Sequence, residues 1–210
     1  MLPIALIGFM GAGKTYYGQA LAKFLHAPFI DLDQYIETEM GHTITQIFEQ
    51  KGELWFRELE LITLKTLLED NTALPQRAPL ILATGGGTPC NPQASELIQA
   101  TTTSVYLKVS EPELVRRLSD SPPQQANNAA TNPNTSSKAT RPLIANLSQP
   151  ELEKMVSERM TQRTPFYERA QFTIDAEIIA DKPRLSLFYP ILQQYVLAGW
   201  LPATVLQNLP

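Results

Sequence analysis

The sequence predicts an α/β protein built on a parallel sheet. Short apolar segments typical of buried strands alternate along its 210 residues with longer segments whose apolar residues recur at helical spacing. The first apolar segment, residues 3–8, ends in glycine and leads through a glycine-rich loop into a helical segment. In sheets of this kind, ligands bind beyond the carboxyl ends of the strands. We therefore expect the functional residues at those ends, or in helices and loops that reach them.

Each element has its own signal in the sequence. Apolar runs bounded by turn residues predict five strands, at 3–8, 28–33, 78–83, 102–110 and 172–176. Apolar residues at helical spacing predict helices at 14–26, 34–41, 43–70, 111–120 and 147–170. The last segment, 183–202, is predicted to be an amphipathic helix that packs on the sheet, with a partner-binding helix as the alternative.

Residues 119–140 differ in composition from the rest of the chain. Serine, threonine, asparagine, glutamine, proline and alanine dominate, and aromatic residues are absent. A packed core cannot be built from such residues, so we expect the segment to be mobile or disordered. The length suits a single domain of residues 1–210, with a helical substrate-binding part at about 33–62 and a lid at about 118–145.

Composition excludes several classes of protein. The net charge is -4, which disfavours a nucleic-acid-binding surface. Cys90 is the only cysteine, so an intramolecular disulfide cannot form, and this is typical of a reducing compartment. The apolar start of the chain has no preceding basic residues and no cleavage site, and it is too short to cross a membrane. We therefore expect a cytoplasmic protein without a membrane anchor.

Residues 8–15, "GFMGAGKT", match the pattern G-x-x-x-x-G-K-[ST], in which a loop between a strand and a helix binds phosphate. The glycines let several backbone N–H groups face one anion, and the helix N-terminus adds positive potential. Lys14 is expected to reach the β- and γ-phosphates of a nucleotide, and the Thr15 hydroxyl is expected to bind Mg²⁺. An ordinary glycine turn is disfavoured by the strand, loop and helix around the motif.

Two aspartates, Asp31 and Asp33, end the second predicted strand. Alternate residues of a strand face the same side, so both carboxylates are predicted to project together near the phosphate loop. Asp31 is expected to support Mg²⁺, and Asp33 is expected to accept the proton of an acceptor hydroxyl. The alternative for Asp33 is an N-cap of the following helix.

Arg57 is a candidate receptor for a carboxylate. It lies four residues after Glu53 and three before Glu60, so both acids can brace it on a helix. A braced, partly buried guanidinium can bind both oxygens of a carboxylate, whereas the alternative is a solvated salt-bridge face. The three glycines at 85–87 follow a buried strand and leave the backbone bare, so that a ligand can approach closely.

Two further arginines are candidates for binding anions. Arg163 is predicted to lie at a helix end, because the helix is expected to break before Pro165. Arg141 follows the polar segment, and from a mobile loop it can close over phosphates and stabilise charge in the transition state. The alternative for Arg141 is an exposed loop arginine.

The motifs "GFMGAGKT", "DLD", "FRELE", "GGG", "RPLI" and "RTPFYERA" together resemble those of shikimate kinase, in that order and at similar spacings over residues 3–175. The resemblance implies a three-layer α/β/α fold of the P-loop NTPase type, with a parallel sheet and a mobile lid. It implies transfer of the γ-phosphoryl group of MgATP to the 3-hydroxyl of shikimate, in aromatic amino acid biosynthesis. Mg²⁺ is the implied cofactor, ATP and shikimate are the implied small-molecule partners, and we expect a monomer.

The resemblance also implies a role for individual residues. The expected ATP-binding residues are Gly11, Ala12, Gly13, Lys14, Thr15, Tyr16, Arg117 and Arg141. The expected shikimate-binding residues are Asp33, Arg57, Gly86 and Arg163. Asp33 is the expected base, with Lys14 and Arg141 as its catalytic partners, and Thr15 and Asp31 are the expected metal ligands. Arg117 is expected to stack on adenine, with Arg116 as the other candidate.

Three features depart from the family pattern. Tyr16 occupies a position where the family usually has serine or threonine, the polar insert lengthens the lid, and the segment after residue 176 does not align securely. The sequence is also compatible with two other functions. One is a kinase of another small hydroxy acid such as gluconate, and the other is an inactive nucleotide-binding relative that acts as a regulatory module.

Overall fold

The sheet contains five strands in the part of the chain that the computed structural model describes, residues 1–69, 78–119, 147–177 and 184–210. In chain order the strands are β1 (Ile4–Ile7), β2 (Phe29–Asp31), β3 (Ile81–Ala83), β4 (Thr103–Lys108) and β5 (Phe172–Asp175). They lie across the sheet in the order β2-β3-β1-β4-β5, and every neighbouring pair is parallel. The predicted parallel sheet is confirmed, and each strand falls inside its predicted segment.

Helices flank this sheet. The α-helices are α1 (Lys14–Leu25), α2 (Leu32–Met40), α3 (Ile44–Glu69), α4 (Pro92–Thr101), α5 (Glu111–Ser119), α6 (Gln149–Tyr167), α7 (Tyr189–Leu197) and α8 (Thr204–Gln207). Short 3₁₀ helices occupy Thr88–Cys90 and Leu185–Phe188. Helix α4 was not predicted. Its sequence signal is Asn91, whose side chain caps the helix by accepting from two backbone N–H groups, followed by proline at the first helical position.

The core surrounds the central strands. All residues of β1 and β3 are buried, as expected for parallel strands with helices on both sides. Helix α1 lies close to β2 because Gly18 has no side chain where the ring of Phe29 approaches. Among the described residues, no helix combines the length and apolar character that crossing a membrane requires.

The end of the chain packs on the sheet, as predicted, but as a 3₁₀ turn and two short helices rather than one continuous helix. Ile191, Leu192 and Tyr195 of α7 are buried. The Tyr195 hydroxyl lies 2.8 Å from the carbonyl oxygen of Leu2 and 2.8 Å from the hydroxyl of Thr103. These contacts fix α7 beside the beginnings of β1 and β4.

Helix α6 continues through Pro165 to Tyr167, so the prediction of a break before Pro165 is wrong. A proline inside a helix removes one hydrogen bond and strains the preceding turn. The last turn forms nevertheless, since the fully buried Tyr167 anchors it through a hydrogen bond of 2.5 Å from its hydroxyl to the Gly86 carbonyl oxygen. Arg163 therefore lies within the helix, one turn before its end.

The predicted mobile segment at 119–140 and the predicted lid at 118–145 lie outside the described residues, apart from Leu118 and Ser119 at the end of α5. Arg141, the expected lid arginine, also lies outside them. The helical part predicted at about 33–62 covers α2 and α3 as far as residue 62, and these two helices contact each other. Helix α3 is interrupted at Gly52, where the backbone adopts φ 82° and ψ 167°.

Candidate active site

The loop between β1 and α1 forms a cradle for an anion at the carboxyl edge of the sheet. Gly13 adopts φ 95° and ψ 19°, a left-handed conformation that lets the loop turn directly into α1. Lys14, the first residue of the helix, donates hydrogen bonds from Nζ to the carbonyl oxygens of Gly8 at 2.9 Å and Phe9 at 3.0 Å. The ammonium group therefore lies against the loop, beside the positive end of the helix.

Thr15 and Asp31 bring two oxygen ligands together next to this cradle. The Thr15 hydroxyl donates to Asp31 Oδ2 at 2.6 Å. Asp31 ends β2 and caps α2, where its other carboxylate oxygen accepts from the backbone N–H of Gln34 at 3.3 Å. Hydroxyl and carboxylate oxygens beside a phosphate loop suit Mg²⁺, which takes oxygen ligands from protein and phosphate. The residues present therefore fit the expected metal.

Asp33 lies in the first turn of α2 rather than on a strand. Because β2 ends at Asp31, the reasoning from alternating strand residues is wrong for this pair, and it is Asp31 that caps the helix. The carboxyl group of Asp33 still comes close to the glycine loop, 2.8 Å from the point where a Cβ on Gly85 would lie. Burial, together with the negative charges of Glu60 and Asp31, raises the pKa of Asp33 to about 7. Lys14 and Arg57 act in the opposite direction but do not cancel this effect.

Glu60 is a buried carboxylate whose importance the sequence reasoning missed. It is 1% exposed, accepts a hydrogen bond of 2.6 Å from the Thr88 hydroxyl, and pairs with Arg57 at 2.9 Å. Burial of this charge was readable from its spacing, because Phe56 and Leu64, one helical turn away on either side, are apolar and also buried. A buried carboxylate requires partners of this kind, since an unpaired buried charge is costly.

Arg57 is braced as predicted. A hydrogen bond of 3.2 Å joins it to Glu53, and one of 2.9 Å joins it to Glu60. Burial lowers its pKa, but the charges and hydrogen bonds of the two glutamates raise it above the ordinary value, so the guanidinium is always charged. A Cβ on Gly87 would lie 2.5 Å from Arg57 Nη2, which shows that the guanidinium group rests directly on the glycine backbone.

Arg163 approaches the same glycine loop from α6. Its Nη1 donates to the Gly86 carbonyl oxygen at 3.3 Å, and its guanidinium carbon lies 5.7 Å from the centre of the Phe9 ring. Arg57 and Arg163 therefore lie against adjacent glycines, Gly87 and Gly86. Burial raises the pKa of Tyr167, whose hydroxyl donates to the same carbonyl oxygen. Tyr167 was not predicted to take part, although it belongs to the motif "RTPFYERA".

Arg117 spans the phosphate loop and the end of β5. Nε donates to Glu113 at 2.7 Å, Nη1 donates to Gly11 O at 3.2 Å, and Nη2 donates to Ala176 O at 2.7 Å and Glu177 O at 2.8 Å. The edges of the guanidinium are therefore occupied by the protein, whereas a planar group held in this way can still offer its face to an aromatic base. Stacking on adenine stays a prediction.

The remaining expected ATP-binding residues lie in or beside the loop. Ala12 is buried, its N–H donates to the Phe9 carbonyl oxygen at 3.1 Å, and its own carbonyl oxygen faces Arg117 at 3.5 Å. Tyr16 is half-buried on α1, and its ring meets that of Tyr17 edge to face, 5.5 Å between centres. Cys90 follows the glycine loop, and burial raises the pKa of its thiol.

The geometry thus combines four chemical functions at one edge of the sheet. The loop and Lys14 suit phosphates, Thr15 and Asp31 suit a divalent cation, and Asp33 is a carboxyl group that can take up a proton near neutral pH. Two guanidinium groups on bare glycine backbone suit a small carboxylate.

Comparison with known proteins identifies the family. A family model described as shikimate kinase matches residues 10–133. The chain belongs to the shikimate kinase family. It is 39% identical over 177 residues to the shikimate kinase of Parabacteroides distasonis, which covers 84% of this chain and 89% of that protein. The fold is accordingly of the P-loop NTPase type, as the sequence resemblance implied.

Solved structures of shikimate kinases agree with this assignment. The crystal structure of the enzyme from Bacteroides thetaiotaomicron superposes with a TM-score of 0.73 at 32% identity, over 94% of this chain and 98% of that one. The enzyme from Acinetobacter baumannii, solved in complex with shikimate, superposes with a TM-score of 0.71 at 31% identity, over 95% of this chain and 94% of that one.

Proposed function

We propose that this chain is a shikimate kinase, which transfers the γ-phosphoryl group of ATP to the 3-hydroxyl of shikimate and releases shikimate 3-phosphate and ADP. Membership of the family and the arrangement of the described residues both support this activity. Neither alternative, a kinase of another hydroxy acid or an inactive regulatory relative, is favoured by any feature of the described site residues. The observation that carries the proposal is that Asp33, Arg57 and Arg163 meet at one glycine loop beside the phosphate cradle.

Asp33 is the proposed base. As the 3-hydroxyl oxygen bonds to the γ-phosphorus, its proton passes to the Asp33 carboxylate, and the bond between the γ-phosphorus and the bridging oxygen breaks to leave ADP. A base is most effective when its pKa lies near the working pH. The pKa of about 7 meets this condition, whereas an ordinary aspartate would be a much weaker acceptor.

Arg57 and Arg163 are the proposed receptors of the shikimate carboxylate. Their guanidinium groups lie against Gly87 and Gly86, so the carboxylate can sit between two forked donors with the backbone close by. Glu53 and Glu60 hold Arg57 in one orientation, which reduces the entropy lost when substrate binds. The acid is thereby held with its ring hydroxyls towards Asp33.

Gly11 to Thr15 are the proposed phosphate-binding residues, with Tyr16 and Arg117 on the nucleotide side. Thr15 and Asp31 would hold Mg²⁺, which neutralises phosphate charge when it is bound. Lys14 would contribute a second positive charge at the β- and γ-phosphates. Arg141 is proposed to reach the phosphates from its segment, which the described ranges do not include.

The protein is further proposed to act as a monomer in the cytoplasm. The single cysteine supports a reducing compartment. Light scattering coupled to size-exclusion chromatography tests the first statement, since a monomer should elute with a mass of 23.4 kDa. A mass that doubles as the protein concentration rises would overturn it.

The function is tested by measuring ADP formation from ATP and Mg²⁺ with and without shikimate. The parent protein should turn over only with the acid, and ³¹P NMR should detect one new phosphate monoester. Asp33→Asn keeps the size of the side chain but removes the base, so activity should fall by about a hundredfold or more. Glu39→Gln is the matched control, because Glu39 is exposed on the same helix.

Two results would count against the proposal. Binding of ATP without shikimate-dependent ADP formation would reject the substrate, and a parallel assay with gluconate would then test the nearest alternative. Full activity in Asp33→Asn would reject Asp33 as the base while leaving the reaction itself intact.

A further inference from the structure

Helix α6 carries three polar side chains in a line on one face. Arg159, Arg163 and Tyr167 follow one another at intervals of four residues, so they lie on neighbouring turns of the same side, about 6 Å apart along the axis. The second and third members both donate hydrogen bonds to the Gly86 carbonyl oxygen. Arg159 therefore lies on the same face of α6 as Arg163 and Tyr167, one turn farther from the glycine loop.

Arg159 lies within electrostatic reach of Arg163, Glu53 and Arg57, which surround the proposed carboxylate site. It is half-buried, and it forms no hydrogen bond or ion pair with any residue of the described ranges. Burial and the positive charges of Arg163 and Arg57 lower its pKa, while the negative charge of Glu53 raises it. A guanidinium that is partly desolvated and repelled by two others favours the approach of an anion.

The charges around the acceptor site explain why a third arginine is useful. Asp33 must be ionised to accept a proton, and in that state it stands with Glu53 and Glu60 as three carboxylates. Asp31 adds a fourth negative charge beside Asp33, and Lys14, Arg57 and Arg163 supply three positive charges against the four. The described acceptor residues would then repel an anionic acid in the one state in which the base is active. With the charge of Arg159 included, the positive charges equal the negative charges in number.

We infer that Arg159 is a specificity-determining residue that selects a negatively charged acceptor. It contributes a third guanidinium at the rim of the carboxylate site formed by Arg57 and Arg163. This role deepens the proposed function and rests on it. Since the charge acts at the rim, it should govern how tightly the free acid binds, and it should have little effect on the phosphoryl transfer that follows.

The test compares Arg159→Met with the parent protein, using shikimate and its methyl ester as acceptors. The ester keeps the 3-hydroxyl but carries no charge. The variant should raise the KM for shikimate about three- to tenfold, as expected for a partly exposed charge. The KM for ATP, the kcat and the KM for the ester should stay within about twofold of the parent values. Higher ionic strength should weaken shikimate binding in the parent more than in the variant.

Two control variants separate charge from structure. Arg159→Lys keeps the charge and should recover most of the affinity for shikimate. Lys154→Met removes one positive charge from an exposed position on the same helix and should leave both acceptors unaffected. Circular dichroism and thermal melting of every variant check that α6 is intact.

Each outcome bears on the inference. An unchanged KM for shikimate in Arg159→Met, or an equal rise for acid and ester, overturns the role of Arg159 while the kinase activity stands. If the parent protein does not turn over shikimate at all, the proposed function fails, and this inference fails with it.

Discussion

Replacing Glu60 by glutamine should move the pH dependence of the reaction, because this residue helps to set the pKa of the proposed base. A Cβ on Gly85 would lie 2.7 Å from Glu60 Oε1 and 2.8 Å from Asp33 Oδ1. The two oxygens are therefore no more than about 5.5 Å apart, and two negative charges at that separation repel by about 3 kcal/mol at an effective dielectric constant of about 20. Glutamine preserves the size of the side chain and removes this repulsion.

The expected effect is large enough to measure. Since 1.36 kcal/mol corresponds to one pKa unit, the change should lower the pKa of Asp33 from about 7 towards about 5. Arg57 would no longer be paired with a buried carboxylate, so its positive charge would also lower the pKa of Asp33. At pH 6 the ionised fraction of Asp33 should rise from about one tenth to about nine tenths. The plateau of kcat/KM should fall, because Arg57 is held less firmly, but the pH at half the plateau reports Asp33 alone.

The assay is kcat/KM for shikimate at saturating ATP between pH 5 and pH 9, since this ratio reports groups of the free enzyme. The parent should lose activity as the pH falls through about 7, and Glu60→Gln should hold its activity to lower pH. Glu58→Gln, on the exposed side of α3, should leave the profile unchanged. An acid limb that stays near pH 7 in Glu60→Gln would refute the electrostatic reasoning.

Two other substitutions probe the acceptor and nucleotide sides separately. Gly87→Ala places a Cβ 2.5 Å from the Arg57 guanidinium, so the KM for shikimate should rise about tenfold or more while the KM for ATP stays unchanged. An equal change in the KM for both substrates would contradict the close contact. Hydrogen bonds from Arg116 and Arg117 lower the pKa of Glu113 to about 2. The ionised carboxylate of Glu113 therefore stabilises the folded protein at pH values above its ordinary pKa of 4.5, and this stabilisation is lost as the pH falls towards 2. Glu113→Gln should reduce stability to urea at pH 7 but much less at pH 3. It should also raise the KM for ATP, because Arg117 is no longer held by Glu113. Equal destabilisation at both pH values would contradict the role of the ionised Glu113.

Much of the sheet and the phosphate loop was predictable because local signals and the fold agree there. The apolar run of β1, the glycines after it and the helical spacing from Lys14 all indicate the same structure. Arg57 was also predictable as a braced arginine, since its partners lie three and four residues away on one helix.

Other features depended on contacts that sequence spacing does not contain. Asp33 was expected on a strand, but α2 begins at Leu32, and the carboxyl group reaches the glycine loop from a helical turn instead. The break expected before Pro165 does not occur, because Tyr167 is anchored to Gly86, a residue 81 positions earlier in the chain. A long-range hydrogen bond of this kind overrides a local preference.

Glu60 links recognition of the acid to the strength of the base. One oxygen of its carboxylate pairs with Arg57, and the other, which accepts from Thr88, faces the position of Asp33 across Gly85. An alanine or glutamine at position 60 would therefore loosen the carboxylate receptor and weaken the base in one step. A site that separated these functions would need a second buried charge to match the contribution that Glu60 adds to the effect of burial on the pKa of Asp33, and each buried charge is costly unless it is fully paired. Sharing one carboxylate between both functions avoids that cost, and it requires the bare backbone of residues 85–87, because any side chain on Gly85 would come between the two acids.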